Sequence, residues 1–378
     1  MIKRAILVSH PIQYLVPLFQ ALHEQKEIKT EIWCNNDFGN EAFFDEDFNT
    51  KIKWDIDVLH GYERVLLKNL SPRPSTGFLG QINPSILMRL ISSERPDILV
   101  VWGWNSISHL LAIFTSRIMG VKLYLRAETT LEYENHLPLI KRKVKKLLLP
   151  IFFKLFDGFL YLGKQNLSFY HYMGVRADKL YFMPYCVNRF SKKTRVRKLK
   201  HIRRFLFVGK LTFKKRPDIA MQAFEALCRE MPELDMTLTI VGDGEMRPYV
   251  ETICEQNDAI QFYGFANQGE LKDIYQKHDA IILPSDERET WGLVINEALQ
   301  NGLAAITSDR VGCRSDLIKV GKNGAIFEYG DATSLATCMR QLVEGYLSAD
   351  QIKETNLKLE KIYNHDIAAT AVLELCND

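Results

Sequence analysis

The stretch ILPSDERETWGLVINEAL, residues 282–299, joins the end of an apolar run to a polar loop and the start of a helical pattern. The apolar run, residues 280–283, has no polar alternation, which is typical of a strand buried on both faces of a parallel sheet. After Gly292, apolar residues recur with helical period. A buried strand that leads through a loop into a helix is one unit of a doubly wound α/β domain.

The same unit is repeated on both sides of this stretch. Short apolar runs separated by amphipathic segments predict parallel strands covered by helices. In the second half these strands are 205–208, 238–241, 260–263, 280–283 and 304–307. In the first half they are 5–9, 31–34, 98–102, 122–126 and 159–162. We therefore predict two Rossmann-like domains, each with a doubly wound parallel sheet, facing each other across a cleft.

The domain boundary is predicted from a basic segment near the middle of the chain, which has no sustained apolar period and is typical of an exposed linker. It separates a first domain from a second one, and the chain ends in helices that we expect to pack back on the first domain. The predicted ranges are 1–184 for the first domain, 185–203 for the linker, 204–350 for the second domain and 351–378 for the C-terminal helices.

Composition excludes several classes of protein. The 378 residues carry 49 basic and 46 acidic side chains, a balance that gives no reason to expect nucleic acid as a partner. Seven cysteines occur without a CxxC pair, so we predict neither a zinc site nor a disulfide framework, but a reducing compartment. No apolar run approaches the roughly 20 residues of a membrane-spanning helix. We therefore predict a cytoplasmic protein.

Two glutamates and a glycine form the strongest motif. Glu289 precedes the helix that opens at Gly292, and Glu297 follows in its second turn. The backbone N–H groups near Gly292 and Leu293 have no partner within the helix, so this helix start can bind a phosphate group. Carboxylates beside it suit sugar hydroxyl groups. The alternative is that both glutamates are ordinary solvated charges.

A second motif follows the strand at 205–208. Gly209 and Lys210 come directly after it, and Lys215 is close behind. Lysines at a strand end can neutralise a diphosphate leaving group. A solvated basic turn is the alternative, but both motifs follow strands of one predicted sheet. We therefore expect them to lie at one edge and to form a single site.

These motifs resemble family 4 of the GT-B glycosyltransferases. The resemblance extends from residue 205 to about residue 342, through FLFVGKLTFKKRPDIAMQAF at 205–224, LTIVGDGEMRPYV at 238–250, IQFYGF at 260–265, ILPSDERETWGLVINEAL at 282–299 and VGCRSDLIKVGKNGAIFEYGD at 311–331. The first half is similar to a subgroup whose first strand leads into a His-Pro-Ile-Gln-Tyr turn, here residues 10–14. Further landmarks of that subgroup are Trp-Asp at 54–55 and Gly-Tyr at 61–62.

The resemblance implies a nucleotide-diphosphate-sugar donor held mainly by the second domain. Transfer would proceed with retention, by front-face attack in which the departing phosphate oxygen accepts the proton of the acceptor, so that no side-chain nucleophile is required. Basic residues and helix dipoles would take the place of a metal, and no other cofactor would be needed. The catalytic side chains would be Lys210 and Lys215 on the diphosphate and Glu289 on the transferred sugar. Gly209 would also bind the donor, and Gly264 and Phe265 would lie against the base. Gly292 and Leu293 would bind through their amides, and Glu297 would bind the ribose.

The first domain would bind the acceptor. It departs from the family pattern, since no glycine-rich turn follows the first strand, and Gly103-Trp104-Asn105 directly follows the strand at 98–102 where many relatives place a histidine. The candidates for the acceptor side come from the ends of two strands: His10, Gln13, Tyr14 and Arg126. Two DxD motifs, at 45–47 and 55–57, resemble metal sites of another glycosyltransferase fold, but neither follows a strand beside a phosphate site, and we predict no metal.

Residues 140–156 combine six basic side chains with large apolar ones and contain no acidic residue. Such a segment can lie in the interface of an anionic membrane, although a buried helix with a basic face is the alternative. We therefore expect a retaining hexosyltransferase that uses a UDP- or GDP-sugar and a glycan or lipid-linked acceptor. The subgroup suggests bacterial surface polysaccharide or lipopolysaccharide synthesis.

Three other functions are alternatives to glycosyl transfer. The alternative that remains open is a nucleotide-sugar epimerase on the same two-domain fold, which would convert the donor without an acceptor. A dinucleotide-dependent oxidoreductase would need GxGxxG after a strand, and neither half begins with it. A sugar-binding protein without activity is the third, and the complete set of lysines and glutamates argues against it.

Overall fold

The structure is a computed structural model and describes residues 2–25, 28–38, 57–187 and 201–376, together with the backbone of 43–45 and 50–52. Of the predicted linker, residues 188–200 lie outside the described residues. The chain forms two compact units. Unit 1 comprises Met1–Phe43, Ile56–Cys186 and Asn364–Asp378, and unit 2 comprises Phe44–Asp55 and Val187–Tyr363.

The strands of the first half, in chain order, are β1 (Ile2–Val8), β2 (Ile28–Cys34), β3 (Phe43–Asp45), β4 (Thr50–Ile52), β5 (Arg64–Leu66), β6 (Ile98–Trp102), β7 (Lys122–Arg126), β8 (Gly158–Tyr161) and β9 (Leu180–Phe182). Within the described ranges, seven of them form one parallel sheet in the order β5-β2-β1-β6-β7-β8-β9. The order reverses between β1 and β6, and β3 pairs with β4.

The strands of unit 2 are β10 (Arg204–Val208), β11 (Thr237–Val241), β12 (Ile260–Gly264), β13 (Ala280–Leu283), β14 (Ala304–Ser308) and β15 (Gly324–Phe327). Among the described residues they form a parallel six-stranded sheet in the order β12-β11-β10-β13-β14-β15. The order reverses between β10 and β13, where ligands of such sheets bind at the carboxyl ends of the strands. Two Rossmann-like parallel sheets are therefore confirmed.

Besides β3 and β4, which pair with each other in a separate two-stranded sheet, the strand prediction missed β5, β9 and β15. Strands β5 and β9 contain only three residues each, too few for a pattern to stand out. In β15 the first residue is Gly324, which interrupts the apolar run. A Cβ atom there would lie 1.9 Å from the carbonyl oxygen of Ala305 on the neighbouring strand, so the close approach of the two strands requires glycine.

The helices, in chain order, are α1 (Val16–His23), α2 (Ser85–Ile91), α3 (Ile107–Ile118), α4 (Leu131–Asn135), α5 (Leu139–Phe153), α6 (Lys164–Tyr172), α7 (Pro217–Glu230), α8 (Arg247–Gln256), α9 (Gln268–Lys277), α10 (Leu293–Gln300), α11 (Arg314–Leu317), α12 (Ala332–Val343), α13 (Ala349–Glu360) and α14 (His365–Glu374). Short 3₁₀ turns lie at Phe78–Gly80 and Ala177–Lys179. In the part of the chain that the structure describes, every helix is too short or too polar to cross a lipid bilayer.

The sheet of unit 1 is buried on both faces. Ile6 and Val8 of β1 point to one face, where they share a core with α1 and α14. The alternate residue Leu7 points to the other face, where it shares a core with residues of α2, α3, α5 and α6. This alternation follows from the twofold period of a strand.

The last helix, α14, returns to unit 1, as predicted. It packs against α1, and the buried guanidinium of Arg4 donates to the carbonyl oxygen of Val372 at 2.9 Å and to Thr30 Oγ1 at 2.8 Å. A cation at the carbonyl end of a helix stabilises it. The helix before it stays in unit 2, where Asn356 donates to the carbonyl oxygens of Leu299 and Leu303. The helices predicted for 351–378 are thus divided between the two units.

Candidate functional site

Two loops meet at the reversal point of the unit 2 sheet. One follows β10 and carries Lys214 and Lys215; the other follows β13 and carries Glu289. The N–H group of Asp286 donates to the carbonyl oxygen of Lys214 at 3.0 Å, which fixes one loop against the other. The positions of the lysines and the glutamate therefore depend on the sheet order, because β10 and β13 are neighbours in space although far apart in sequence.

Glu289 pairs with two lysines in this site. Lys215 forms an ion pair with Glu289 Oε2, and Lys214 Nζ lies 3.8 Å from the same oxygen. The Glu289 and Lys215 side chains are only 12% and 14% exposed, whereas that of Lys214 is 35% exposed. Two cations share one carboxylate, so the cluster keeps an excess of positive charge. Lys214 is a site residue that the sequence reasoning missed, and its only signal is its place beside Lys215.

The protonation state of the cluster follows from burial and charge. Burial raises the pKa of Glu289, but the attraction of Lys215 and Lys214 outweighs it, so the pKa is lowered overall. Burial lowers the pKa of Lys214, while Glu289 acts in the opposite direction. Glu289 is therefore ionised at neutral pH, and a carboxylate that acts only as an acceptor is available in the site.

Gly292 directly precedes α10 as its N-cap and has the left-handed conformation, with φ at +100°. A Cβ atom at this position would lie 2.7 Å from Leu283 Cδ2, so both the backbone angle and the packing require glycine. The Ile295 N–H donates to the carbonyl oxygen of Gly292. The N–H groups of Leu293 and Val294 lie in the first turn of α10, where the helix has no carbonyl oxygen four residues earlier to accept from them. The start of a helix attracts anions, so these N–H groups can bind one.

A second glycine, Gly312, supports this turn from the loop after β14. The Gly312 N–H donates to the carbonyl oxygen of Glu289 at 2.9 Å. The Cys313 N–H donates to the carbonyl oxygen of Trp291 at 3.0 Å. A Cβ atom on Gly312 would lie 1.9 Å from the carbonyl oxygen of Thr290. The sequence reasoning did not select Gly312, although it lies in one of the family landmarks, because its role depends on a contact between two loops.

The predicted donor residues Gly209 and Gly264 lie in a row of glycines at three adjacent strand ends. The Gly209 N–H donates to the carbonyl oxygen of Val241 at 3.0 Å, and the Gly242 N–H donates to that of Gly264 at 2.8 Å. A Cβ atom on Gly242 would lie 1.9 Å from the carbonyl oxygen of Gly209. Because glycine has no side chain, the backbones of these neighbouring strand ends can approach each other closely. This close approach lies at the end of the sheet where a ligand would bind.

Three other predicted residues lie near this row. A Cβ atom on Gly209 would lie 3.7 Å from Lys215 Cδ, so the side chain of Lys215 passes over this glycine on its way to Glu289. Lys210 directly follows Gly209 and is half-buried. Phe265 directly follows Gly264 and is also half-buried. The structure thus places both residues at carboxyl ends of the unit 2 sheet.

The second glutamate, Glu297, is not a solvated surface charge. It is buried in α10, where it accepts hydrogen bonds from the Tyr275 hydroxyl at 2.7 Å and from Gln268 Nε2 at 3.2 Å. Burial raises the pKa of Glu297, and the two hydrogen bonds act against this shift. Tyr275 and Gln268 were not predicted, since nothing in the local sequence links α9 to this position.

On the unit 1 sheet, three predicted residues follow β1. His10 Nδ1 lies 2.9 Å from Ser9 Oγ, and burial lowers the pKa of His10 to about 4, so its ring is neutral at neutral pH. Gln13 Oε1 is buried without a hydrogen-bond partner among the described residues. The ring of Tyr14 packs edge-on against Tyr185, with 5.7 Å between centroids. This end of the sheet therefore has polar groups but no cation from β1.

The fourth candidate, Arg126, ends β7 in a buried aromatic environment. Its guanidinium carbon lies 4.3 Å from the ring centroid of Trp102 and 4.4 Å from that of Tyr185. Arg126 Nη1 is 3.6 Å from Glu128 Oε1, which also accepts a hydrogen bond from the Tyr185 hydroxyl. The side chain is only 1% exposed. Tyr185 was missed because the sequence placed it in the linker.

No group of three or more His, Cys, Asp and Glu side chains within the described ranges could hold a metal ion. This result does not cover either DxD motif, because their side chains at 45, 47 and 55 lie outside the described residues.

Residues 189–358 match the sequence model of the family described as Glycosyl transferases group 1. The chain is similar to the uncharacterized glycosyltransferase MJ1607 of Methanocaldococcus jannaschii, with 36% identity over the aligned residues. The alignment covers 32% of this chain and 30% of that relative. The chain therefore spans about a third of the length of this curated relative. The family match lies within unit 2, where the lysines, the glutamates and the glycine turn lie.

Solved structures match over the full length. Anabaena Alr3699/HepE in complex with UDP superposes with a TM-score of 0.70 at 15% identity, covering 100% of both chains. The lipopolysaccharide outer core galactosyltransferase WaaB superposes with a TM-score of 0.68 at 16% identity, covering 99% of both chains. At these identities the likeness concerns the fold. Together with the match over unit 2, it supports a glycosyltransferase of the GT-B fold.

Proposed function

We propose that this protein is a retaining, metal-independent hexosyltransferase that moves a sugar from a UDP- or GDP-sugar to a hydroxyl group of a glycan or lipid-linked acceptor. The observation that carries the proposal is the pairing of Glu289 with Lys214 and Lys215 beside the Gly292 turn. Excess positive charge and helix amides at the end of a doubly wound sheet suit a diphosphate. The family match of unit 2 supports the same assignment.

In this proposal the diphosphate takes the place of Glu289 as the main partner of the lysines. Lys210, Lys214 and Lys215 neutralise the charge that develops on the leaving phosphate oxygen. The amides of Gly292 and Leu293 bind a phosphate or sugar oxygen. Lysines fixed by a buried carboxylate need little rearrangement when the donor arrives, which lowers the cost of charge stabilisation.

The carboxylates bind hydroxyl groups. Glu289, ionised and acceptor-only, accepts from a hydroxyl of the transferred sugar, and Glu297 accepts from the ribose through its remaining lone pairs. The hydrogen bonds from Tyr275 and Gln268 hold Glu297 in one orientation for this purpose. Gly209 and Gly264 let the donor approach the backbone, and Phe265 packs against the base.

The transfer step breaks the bond between the anomeric carbon and the phosphate oxygen. The acceptor oxygen forms its bond to the same face of the anomeric carbon, and its proton passes to the departing phosphate oxygen. No side-chain nucleophile and no metal take part, since the lysines and amides stabilise the leaving group. His10, Gln13, Tyr14 and Arg126 of unit 1 would orient the acceptor.

We place this reaction in bacterial surface polysaccharide or lipopolysaccharide synthesis. The full-length likeness to the lipopolysaccharide outer core galactosyltransferase WaaB supports this placement, and the UDP bound in the Anabaena structure supports a UDP-sugar as the donor. The enzyme would work in the cytoplasm, at the inner face of the cytoplasmic membrane, where lipid-linked acceptors are available.

The test is an assay with a panel of UDP-, GDP- and ADP-sugars, first with a thermal-shift screen of the nucleotide diphosphates to identify the base. We expect one diphosphate to raise the melting temperature, and transfer that persists in EDTA and keeps the anomeric configuration of the donor, as read by NMR. Conversion of the donor sugar without an acceptor would instead establish an epimerase. Inversion, or loss of transfer in EDTA that a divalent ion restores, would overturn the proposed mechanism.

A further inference from the structure

The outward side of α5 is apolar. Ile140 is 78% exposed, Leu147 69% and Ile151 60%, and Val144 between them is 48% exposed. Their spacing of four, three and four residues places them in one stripe along a helix of about 22 Å. The side chain on the opposite side, Phe153, is buried in the core of unit 1. This helix thus exposes large apolar side chains that a surface helix normally turns inward.

The basic side chains of residues 140–156, which comprise most of α5 and the residues after it, fall into two groups. Lys145 pairs with the buried Glu134, while Lys146 lies 3.8 Å from the ring centroid of Tyr172 and Arg142 Nε donates to the hydroxyl of the same tyrosine at 3.3 Å. These three cations are held by unit 1 itself. They contribute to the packing of α5 against α4 and α6.

The second group comprises Lys141, Lys143 and Lys154, which are exposed and flank the apolar stripe. Among the described residues none of the three has a carboxylate within ion-pair distance. The segment 139–156 contains no acidic residue. An apolar stripe between unpaired lysines matches the chemistry of the headgroup region of an anionic bilayer.

Two other helices with residues in the same core also expose large apolar side chains. Met88 of α2 is 74% exposed, and Ile118 of α3 is 82% exposed. The inward sides of α2 and α3 share a core with Phe153 of α5, so all three helices cover the same face of the unit 1 sheet. Scattered single apolar residues are ordinary on a protein surface, whereas several on helices that cover one face of the same sheet favour an interaction surface.

We propose that this surface, defined by the outward sides of α2, α3 and α5 and called the docking face below, binds anionic lipid bilayers. Ile140, Leu147 and Ile151 enter the boundary between headgroups and acyl chains, and the exposed lysines contact anionic headgroups. The inference deepens the membrane location in the proposed function by naming the surface and the lipid chemistry. It does not depend on the identity of the donor.

The experiment is co-sedimentation of the full chain with vesicles of phosphatidylcholine containing about a third phosphatidylglycerol, at physiological salt. The wild type should bind these vesicles and not vesicles of phosphatidylcholine alone. The variant Lys141→Gln/Lys143→Gln/Lys154→Gln should bind about a hundredfold more weakly. Its matched control is Lys322→Gln/Lys353→Gln/Lys358→Gln, which removes the same charge from exposed positions of unit 2 and should bind as the wild type does.

The apolar stripe is tested by Leu147→Ser/Ile151→Ser, with Leu357→Ser/Ile362→Ser in unit 2 as control. We expect the first pair to lose vesicle binding and the second to keep it, with unchanged melting temperatures. Absence of wild-type binding to anionic vesicles would overturn the proposal, as would equal losses in both lysine variants. A stable dimer that disappears in Leu147→Ser/Ile151→Ser would establish a second copy of the chain as the partner instead.

A glycosyl-transfer assay with a soluble acceptor separates this inference from the proposed function. We expect transfer to be unchanged in the docking-face variants. Vesicle binding without transfer would leave the docking face in place and reject the activity. Transfer without vesicle binding would support the activity and reject the docking face.

Discussion

The two sheets reverse their strand order at equivalent places, yet the chemistry at these places differs. In unit 2 the adjacent strands β10 and β13 lead into Lys214, Lys215 and Glu289, which form a charged cluster with partly accessible cations. In unit 1 the only cation of the predicted set, Arg126, is enclosed between two aromatic rings, and His10 is neutral. Sheet topology thus determines where a ligand can bind, and the side chains determine which ligand.

The backbone differs in the same way. The turn after β10 begins with Gly209, and the helix after β13 begins with Gly292, so amide groups can approach a ligand. The turn after β1 is Ser9-His10-Pro11, with no glycine. In the proposed function, this difference fits a phosphorylated donor on unit 2 and a hydroxyl-bearing acceptor on unit 1.

The largest effect that this difference predicts is on transfer by the Lys215→Ala variant. Loss of Lys215 removes a cation from the leaving diphosphate, and we expect kcat/KM to fall about a thousandfold, in the range of removing a group that stabilises the transition state. The measurement is steady-state transfer with the donor found in the screen. Lys322→Ala, in an exposed turn of unit 2, is the control and should keep full activity; equal rates in the two variants would show that Lys215 has no part in the reaction.

A stability measurement examines the glycine turn of unit 2. Gly292→Ala places a methyl group against Leu283 at a positive φ, and we expect it to lower the free energy of unfolding by about 3 kcal/mol. Gly330→Ala is the matched control, because Gly330 also has a positive φ but open space around its Cα, and it should cost about 1 kcal/mol. Denaturant unfolding gives both values. Similar losses in the two variants would mean that the backbone angle alone, and not the packing, requires glycine at the turn.

The neutral His10 of unit 1 predicts a pH dependence of stability. Burial lowers the pKa of His10 from 6.5 to about 4, so between these pH values the unfolded chain binds a proton that the folded chain excludes. Stability therefore falls as the pH drops from 6.5 to 4, by about 2 to 3 kcal/mol from this residue. Unfolding of His10→Asn should show a correspondingly shallower pH slope. An unchanged slope would mean that His10 titrates normally in the folded protein.

The smallest effect concerns the acceptor side. Arg126→Lys replaces a planar guanidinium between Trp102 and Tyr185 with an ammonium group that cannot stack in the same way. We expect KM for the acceptor to rise about tenfold, since a tenfold change corresponds to one lost weak contact, while the affinity for the nucleotide diphosphate stays constant.

The control for Arg126→Lys is Arg4→Lys, which changes another buried arginine of unit 1, one that binds α14 rather than the strand ends. Both variants should lose stability, and only Arg126→Lys should change KM for the acceptor. A change in diphosphate affinity in Arg126→Lys would contradict the assignment of the donor to the unit 2 sheet and of the acceptor to the unit 1 sheet.

Much of the fold follows from local sequence. Strands buried on both faces appear as short apolar runs, so β10 and β13 and their neighbours were predictable, and the helix start at Gly292 was too. What could not be predicted are contacts that depend on tertiary packing. Glu289 pairs with Lys215 only because β10 and β13 are adjacent, and Tyr275 reaches Glu297 only through the packing of α9.

The central claim is that the lysines and amides of unit 2 bind the diphosphate of a nucleotide. It is tested most directly by calorimetric titration of the wild type and of Lys214→Gln/Lys215→Gln with the nucleoside diphosphate found in the screen and with the corresponding nucleoside. The account predicts that the wild type binds the diphosphate at least a hundredfold more tightly than the nucleoside, and that the variant loses most of this difference. Equal affinities for the two ligands in the wild type, or a variant that keeps the full difference, would contradict it.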